Sequence, residues 1–210
     1  MKLFFSVLIL VMGIASSAFS RPTYDDYDYA TYFSAKTGYS RGMTRLRLNK
    51  DKAKIFHTDN SVVEAAIGVQ GEMLRTELEL SVLGNDPYPA KFGETVYKTK
   101  VRVKTYLLNE YIDFRPNRNF RPYLGIGVGM ADLEIKYDND QLEERKPTVM
   151  AASAKAGLGI RVAPTSWLDI GYKFLILNKI EFQEKVNAVQ YTDRRDHMFH
   201  EITVGFRFIF

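Results

Sequence analysis

The sequence predicts an all-β fold, an eight-stranded antiparallel up-and-down β-barrel that spans a membrane and follows a cleavable signal peptide. Three observations lead there. Apolar and polar residues alternate with period two from Tyr32 to the last residue. The glycines inside these alternating segments all fall in the polar frame. The connections between segments are alternately short and long.

Composition narrows the class first. Of 210 residues, 46% are hydrophobic, too many for a disordered chain. Cysteine is absent, which excludes a disulfide scaffold, a Cys-based zinc site, a thiol nucleophile and a lipidated N-terminal Cys. The net charge of +4 is too small to argue for nucleic acid as a partner.

Residues 1–20 read as the signal peptide. Lys2 is a minimal basic start, Leu3 to Ile14 is apolar, and Ala18-Phe19-Ser20 carries small residues where a signal peptidase cuts. The apolar run is short for a membrane span of about 20 residues. Residues 21–31 read as a short periplasmic leader, and 32–210 as the barrel. No later stretch is apolar long enough for a transmembrane helix.

The first strand is the weakest, with Phe33, Ala35, Thr37 and Tyr39 against Ser34, Lys36 and Gly38. The second sets Val63, Ala65, Ile67 and Val69 against Glu64, Ala66, Gly68 and Gln70. The third sets Leu74 to Val82 in even positions against Arg75, Glu77, Glu79 and Ser81. The fourth reads as Val101, Val103, Thr105 and Leu107 on the apolar side, with Lys100, Arg102, Lys104 and Tyr106 on the polar side. The fifth alternates Leu124, Ile126, Val128 and Met130 with glycines. The sixth and seventh place Lys155, Arg161, Asp169 and Lys173 in the polar frame. The eighth puts Phe206, Phe208 and Phe210 on the apolar side and Glu201 and Arg207 on the other. The frame slips near Asn109 and between Met130 and Leu133, so a bulge or a strand leaving the apolar layer is expected there.

Fourteen charged residues therefore share the polar face: Lys36, Glu64, Arg75, Glu77, Glu79, Lys100, Arg102, Lys104, Lys155, Arg161, Asp169, Lys173, Glu201 and Arg207. Alternation alone fits a soluble barrel with charges outside equally well. The glycines favour a narrow interior filled by long neighbours. Aromatics near the strand ends favour two interfacial girdles: Phe33, Tyr111, Phe114, Phe120, Tyr123, Trp167 and Phe210 at the short-turn end, with Tyr39, Phe92, Tyr97, Tyr137, Phe182 and Phe199 at the other. A charged interior must be paired, so the expectation is a salt-bridged plug and no open channel.

Four segments resemble the small outer-membrane β-barrels of Gram-negative bacteria, the OmpA-like and opacity-protein-like family. They are Tyr32 to Tyr39, Arg75 to Ser81, Pro122-Tyr123-Leu124-Gly125-Ile126-Gly127-Val128-Gly129, and Gly205 to Phe210. The resemblance implies residence in the outer membrane, among its lipid and lipopolysaccharide. It implies both termini in the periplasm and insertion by the barrel-assembly machinery, which reads a terminal strand with Phe206, Phe208 and Phe210. It does not imply one function, since members serve as adhesins, serum-resistance factors, wall-linked structural proteins and lipid enzymes.

Residues for catalysis are few. His57, His197 and His200 all fall in long connections or at the loop end of the last strand, and no Ser-His-acid set is evident. Gly125-Ile126-Gly127-Val128-Gly129 lies within a strand and opens no helix, so it is no dinucleotide motif. Asp138, Asp140, Glu143 and Glu144 lack the spacing of a calcium loop. No metal and no cofactor is expected.

The first long connection, Arg41 to Asn60, is distinctive. Arg41, Arg45, Arg47, Lys50, Lys52 and Lys54 stand against only Asp51 and Asp59. Such an array suits either lipopolysaccharide phosphates or acidic host glycans and proteins. The reading is a structural and surface-interaction protein, an adhesin or immune-evasion factor, without catalysis. A narrow porin-like channel is the alternative, and a lipid-modifying enzyme comes third. If the first long connection adds a hairpin, the barrel has ten strands.

Overall fold

The computed structural model describes residues 29–48, 54–84, 88–92, 95–114, 119–137, 146–186 and 189–210. The signal-peptide segment and residues 21–28 of the leader lie outside the described residues. Nine strands form among the described residues: β1 (Ala30–Leu48), β2 (Lys54–Gln70), β3 (Leu74–Leu83), β4 (Tyr88–Phe92), β5 (Thr95–Asp113), β6 (Phe120–Tyr137), β7 (Thr148–Ala163), β8 (Ser166–Val186) and β9 (Val189–Ile209). β1 thus begins at Ala30, and Ala30 and Thr31 pair with Gln70 and Val69 of β2.

Each strand except β3 pairs antiparallel with the next, β3 pairs with β5 instead, and β1 pairs with β9. These pairings close eight strands into a barrel and remove the exposed edges that an open sheet would carry. The short β4 stands outside the closed wall and pairs with the top of β5 at Thr95 to Thr99. The first long connection adds no strands of its own. It lengthens β1 to Leu48 and starts β2 at Lys54, so Arg41 to Asn60 is mostly a hairpin rising from the wall.

The register fixes the barrel's shape. From Arg41, the hydrogen-bonding direction runs through His200, Phe174, Ala154, Ile126, Glu110, Thr76 and Val69. It returns to β1 at Thr31, so one circuit costs ten residues, 41 minus 31. Eight strands with that stagger tilt by about 42° from the axis and leave an interior about wide enough for side chains alone. A membrane strand needs roughly 9–11 residues. β8 and β9 have 21 each, so the wall extends well past the bilayer at its long-loop end.

Facing follows the predicted alternation in β1, β2, β3, β6, β7, β8 and β9, with the apolar frame outward. β5 is the correction. Val103, Thr105 and Leu107 are buried inside, and Arg102 and Lys104 lie on the outer wall, where both pair with Glu134 of β6. The register of β5 against β3 and β6 is unbroken, so neither predicted slip is a bulge. The strand instead leaves the apolar layer. Above the bilayer its outer face meets water and its inner face packs into an apolar core, which inverts the hydrophobic frame without a change of side.

That core is a disc across the barrel. Val62, Leu83, Val103, Leu107, Ala131, Leu133, Ala151, Leu175, Leu177 and Phe199 form one buried cluster at the height of Arg41. Below it the outer wall is an apolar belt about as tall as a bilayer. Tyr39 and Tyr106 lie outward near its upper rim, and Phe33, Phe114, Phe120 and Phe210 near its lower one. Four residues assigned to the girdles turn inward instead: Tyr111, Tyr123 and Trp167 at the lower end and Phe199 in the disc. The side chains of Phe92, Tyr97, Tyr137 and Phe182 lie outside the described residues.

Candidate functional site

Among the described residues the barrel interior below the disc holds five buried cations and six buried carboxylates: Lys36, Arg75, Lys155, Lys173 and Arg207 against Glu64, Glu77, Glu79, Asp113, Asp169 and Glu201. Each sits on an inward position of an alternating strand, so the period-two sequence aims them all at one axis. They form two layers.

The lower layer centres on two arginines joined through one aspartate. Arg75 Nη2 donates to Asp113 Oδ1 at 3.2 Å, and Arg207 Nη1 lies 3.8 Å from Asp113 Oδ2. Arg207 also donates to Asp169 Oδ1 at 3.2 Å and to Gln70 at 3.1 Å. The Arg75 guanidinium stacks on the rings of Tyr111 at 4.0 Å and Tyr123 at 4.9 Å. A planar guanidinium serves both roles, forked pairing and ring stacking, where an ammonium would not. Glycine makes the space for those rings. A Cβ on Gly125 would strike the Tyr111 ring, and one on Gly157 would strike Tyr123.

The middle layer centres on Glu79. It accepts from Lys155, without intervening solvent, and from Lys173 at 3.1 Å. Lys173 also contacts Glu64 and lies 2.7 Å from Glu201. Glu77 couples the layers. It accepts from the Tyr32 and Tyr111 hydroxyls, each at 2.8 Å, and lies 3.7 Å from Arg75. Lys36 faces the same interior directly opposite Glu64 on the neighbouring strand. Charges this deep persist because nearly every one touches an opposite charge or a hydrogen-bonding hydroxyl.

Of the fourteen residues assigned to the interior, Lys36, Glu64, Arg75, Glu77, Glu79, Lys155, Asp169, Lys173, Glu201 and Arg207 are buried there. Arg102 and Lys104 are not; they belong to the outer wall. The Lys100 side chain lies outside the described residues. Arg161 sits at the short turn between β7 and β8 and reaches the carbonyls of Ala163 and Pro164 at 3.4 Å. Asn109, Tyr111 and Asp113 escaped the sequence reading because β5 was placed with the wrong face inward, whereas that reading assigns Tyr123 to a girdle and gives Tyr32, in the polar frame of β1, no role. The pairing shows the signal. Asn109 lies opposite Gly127 and Tyr111 opposite Gly125, and directly paired residues share a face.

Layers of ion pairs beneath an apolar disc fill the described interior with side chains, so the expected result in a planar bilayer is no steady single-channel current. Large, stable conductance steps from the folded protein would contradict this packing. The histidines do not converge. His57 is exposed, His197 is buried, and His200 faces outward, where its Nδ1 lies 2.6 Å from the Tyr172 hydroxyl and its ring stacks against Phe174 at 4.9 Å. Glu201, its neighbour in sequence, faces the interior. Among the described residues no group of His, Asp and Glu side chains is arranged to hold a metal ion. The acidic loop from Asp138 to Glu144 lies outside the described residues.

The basic hairpin is placed by its backbone. Arg45 pairs with Ile55 and Leu46 with Lys54, so the chain stays extended beyond the disc on both sides. Arg41 is exposed on the outer wall, 3.7 Å from Asp59. The side chains of Arg45, Arg47 and Lys54, and all of Lys50 and Lys52, lie outside the described residues.

With the fold and interior described, comparison with known proteins gives a consistent picture. The sequence profile of the outer membrane protein beta-barrel domain matches residues 6–210. Outer membrane protein PagN of Salmonella typhimurium strain LT2 is 29% identical over 103 residues, which are 44% of this chain and 43% of that protein. The match therefore spans less than half the length of that relative. Among solved structures, OprG from Pseudomonas aeruginosa superposes with a TM-score of 0.58 at 14% identity, over 86% of this chain and 96% of OprG. Neisserial surface protein A gives 0.55 at 15% identity, over 84% of this chain and 97% of its own. At these identities the structures speak for the fold alone.

Proposed function

This chain belongs to the outer-membrane β-barrel family and is a protein of the Gram-negative outer membrane, and from that premise we propose that it is a structural and surface-interaction protein, an adhesin or immune-evasion factor that acts without catalysis through its long-loop end. The observation that carries the reading is the hairpin of β1 and β2. Its strands run on past the apolar belt through Arg45, Arg47 and Lys54, and Lys50 and Lys52 stand between those strands in the sequence. Paired strands present cations at lower entropic cost than an unpaired loop, and clustered cations select polyanions by charge density. The ligand class is a sulfated or carboxylated host glycan or an acidic host protein, with lipopolysaccharide phosphate as the competing ligand. The outward row of Phe206, Phe208 and Phe210 on the closing strand supports recognition by the barrel-assembly machinery. The filled interior speaks against the narrow channel, and the dispersed histidines speak against the lipid-modifying enzyme.

The test replaces Arg45, Arg47, Lys50, Lys52 and Lys54 with serine. Heparin retention should fall to a much lower salt concentration, and host-cell attachment should fall with it. Unchanged attachment by a folded barrel would remove the adhesive role from this hairpin. Lost lipopolysaccharide binding with attachment intact would favour anchoring to the leaflet.

A further inference from the structure

Seven methionines occur in the chain, and Met1 and Met12 fall within residues 1–20. Four of the others stand directly opposite one another as two couples on neighbouring strands, Met43 with Met198 and Met130 with Met150. The first couple has a third neighbour. His57 of β2 lies opposite Met43 on its other side. His57, Met43 and Met198 therefore form one row across β2, β1 and β9. All three occupy the outward frame of their strands: His57 is exposed, and Met43 and Met198 are half-buried. Tyr39 marks the upper rim of the belt, and Met43 lies further along the same strand, about 10 Å higher along the barrel axis. The row thus stands on the aqueous side of the belt.

Register makes neighbours of residues spread over most of the chain. Directly opposite residues have Cβ atoms about 4.5–5.5 Å apart. A methionine side chain is unbranched and has three rotatable bonds, so its sulfur covers that spacing. An imidazole covers it through Nε2. An ion above Met43 is therefore within reach of two thioether sulfurs and one imidazole nitrogen. His200, below Met198 on the same strand, is engaged elsewhere: its Nδ1 lies 2.6 Å from the Tyr172 hydroxyl and its ring centroid 4.9 Å from that of Phe174. In the row beneath, Arg41 and Asp59 face each other at 3.7 Å, a pair without net charge.

We propose that His57, Met43 and Met198 form a binding site for a soft monovalent cation, Cu(I) or Ag(I). Thioether sulfur is a soft, uncharged ligand that selects Cu(I), and imidazole suits copper as well. Calcium and magnesium require oxygen ligands, and zinc takes thiolate, imidazole or carboxylate. Among the described residues no His, Asp and Glu cluster competes for such a harder ion. A singly charged ion also needs no anionic ligand, so three neutral groups suffice. The second couple is the internal control. Met130 and Met150 are exposed on the outer wall, and the other neighbour of Met130 in register is Tyr106, which carries no ligand nitrogen. Two thioethers alone leave the ion one ligand short.

The absence of cysteine removes thiolate as a competing copper ligand and makes the test clean. The protein, folded in detergent and kept anaerobic with ascorbate, is titrated with Cu(I) against bicinchoninate, a coloured Cu(I) chelator. It should withdraw about one Cu(I) per chain, and X-ray absorption at the copper edge should show sulfur and nitrogen neighbours. Met43→Leu, Met198→Leu and His57→Phe should each weaken retention at least about tenfold, since even groups that only support a ligand are worth that much. Met130→Leu combined with Met150→Leu should leave retention unchanged. Leucine replaces methionine at similar volume, and heat-modifiable migration on a gel verifies the barrel in each variant. The serine variant of the hairpin cations keeps all three ligands and should hold copper whether or not it loses attachment, so this site and the adhesive reading fail separately. No copper withdrawn by the unaltered protein, no sulfur beside the copper, undiminished retention in Met43→Leu, or equal loss when Met130 and Met150 are replaced would each overturn the proposal.

Discussion

Replacing Glu79 with alanine should cost the barrel about 3–5 kcal/mol, the usual loss when one partner of a buried ion pair is removed. Glu79 contacts two lysines. Without it, Lys173 keeps Glu64 and Glu201, but Lys155 keeps only the Tyr111 hydroxyl, at 3.2 Å. A buried ammonium left with one neutral partner is the expensive product, more than the lost bond itself. Urea unfolding from lipid vesicles, read by heat-modifiable migration, measures the loss. The double variant Glu79→Leu with Lys155→Met should recover much of it, because removing both charges removes the stranded one. A loss below about 1 kcal/mol for Glu79→Ala would mean that this layer is wet, since hydrated pairs have that worth.

The second large effect separates two neighbours on β5. Val103→Asp should cost about 3–5 kcal/mol, because it places an unpaired carboxylate in the apolar disc beside Leu133 and Leu83. Arg102→Leu should stay within about 0.5–1 kcal/mol, because Arg102 is half-exposed on the outer wall and its contact with Glu134 spans 3.8 Å. Had β5 presented the opposite face, the ranking would reverse: Arg102 would be the buried ion and Val103 a lipid-facing residue. The same vesicle unfolding assay reads both variants. Equal small effects would dissolve the disc as a packed core, and with it the dry cap over the ion pairs.

These two experiments also mark the division between sequence and structure. Alternation is local, because successive side chains on any strand point to opposite faces. The strands, the up-and-down order, the eight-fold closure and ten of the fourteen interior charges were therefore legible in the chain itself. The basic run from Arg41 to Lys54 was legible too, as composition, though its hairpin geometry was not.

Which face turns inward is not local. It is decided by pairing around the whole barrel, and by where each strand crosses from lipid into water. On β5 that crossing inverts the solvent on the outer wall, so Val103 and Leu107 look lipid-facing in sequence and are buried in the disc. Once β5 was reversed, Asp113 could not be seen as the bridge between Arg75 and Arg207, residues far apart in the chain. The same register places Glu110 on the lipid face opposite Thr76. The sequence determined the alternating strands and their stock of charge. The tertiary structure decided which charges meet and which one is left facing hydrocarbon, because a ten-residue stagger relates positions that no local pattern connects.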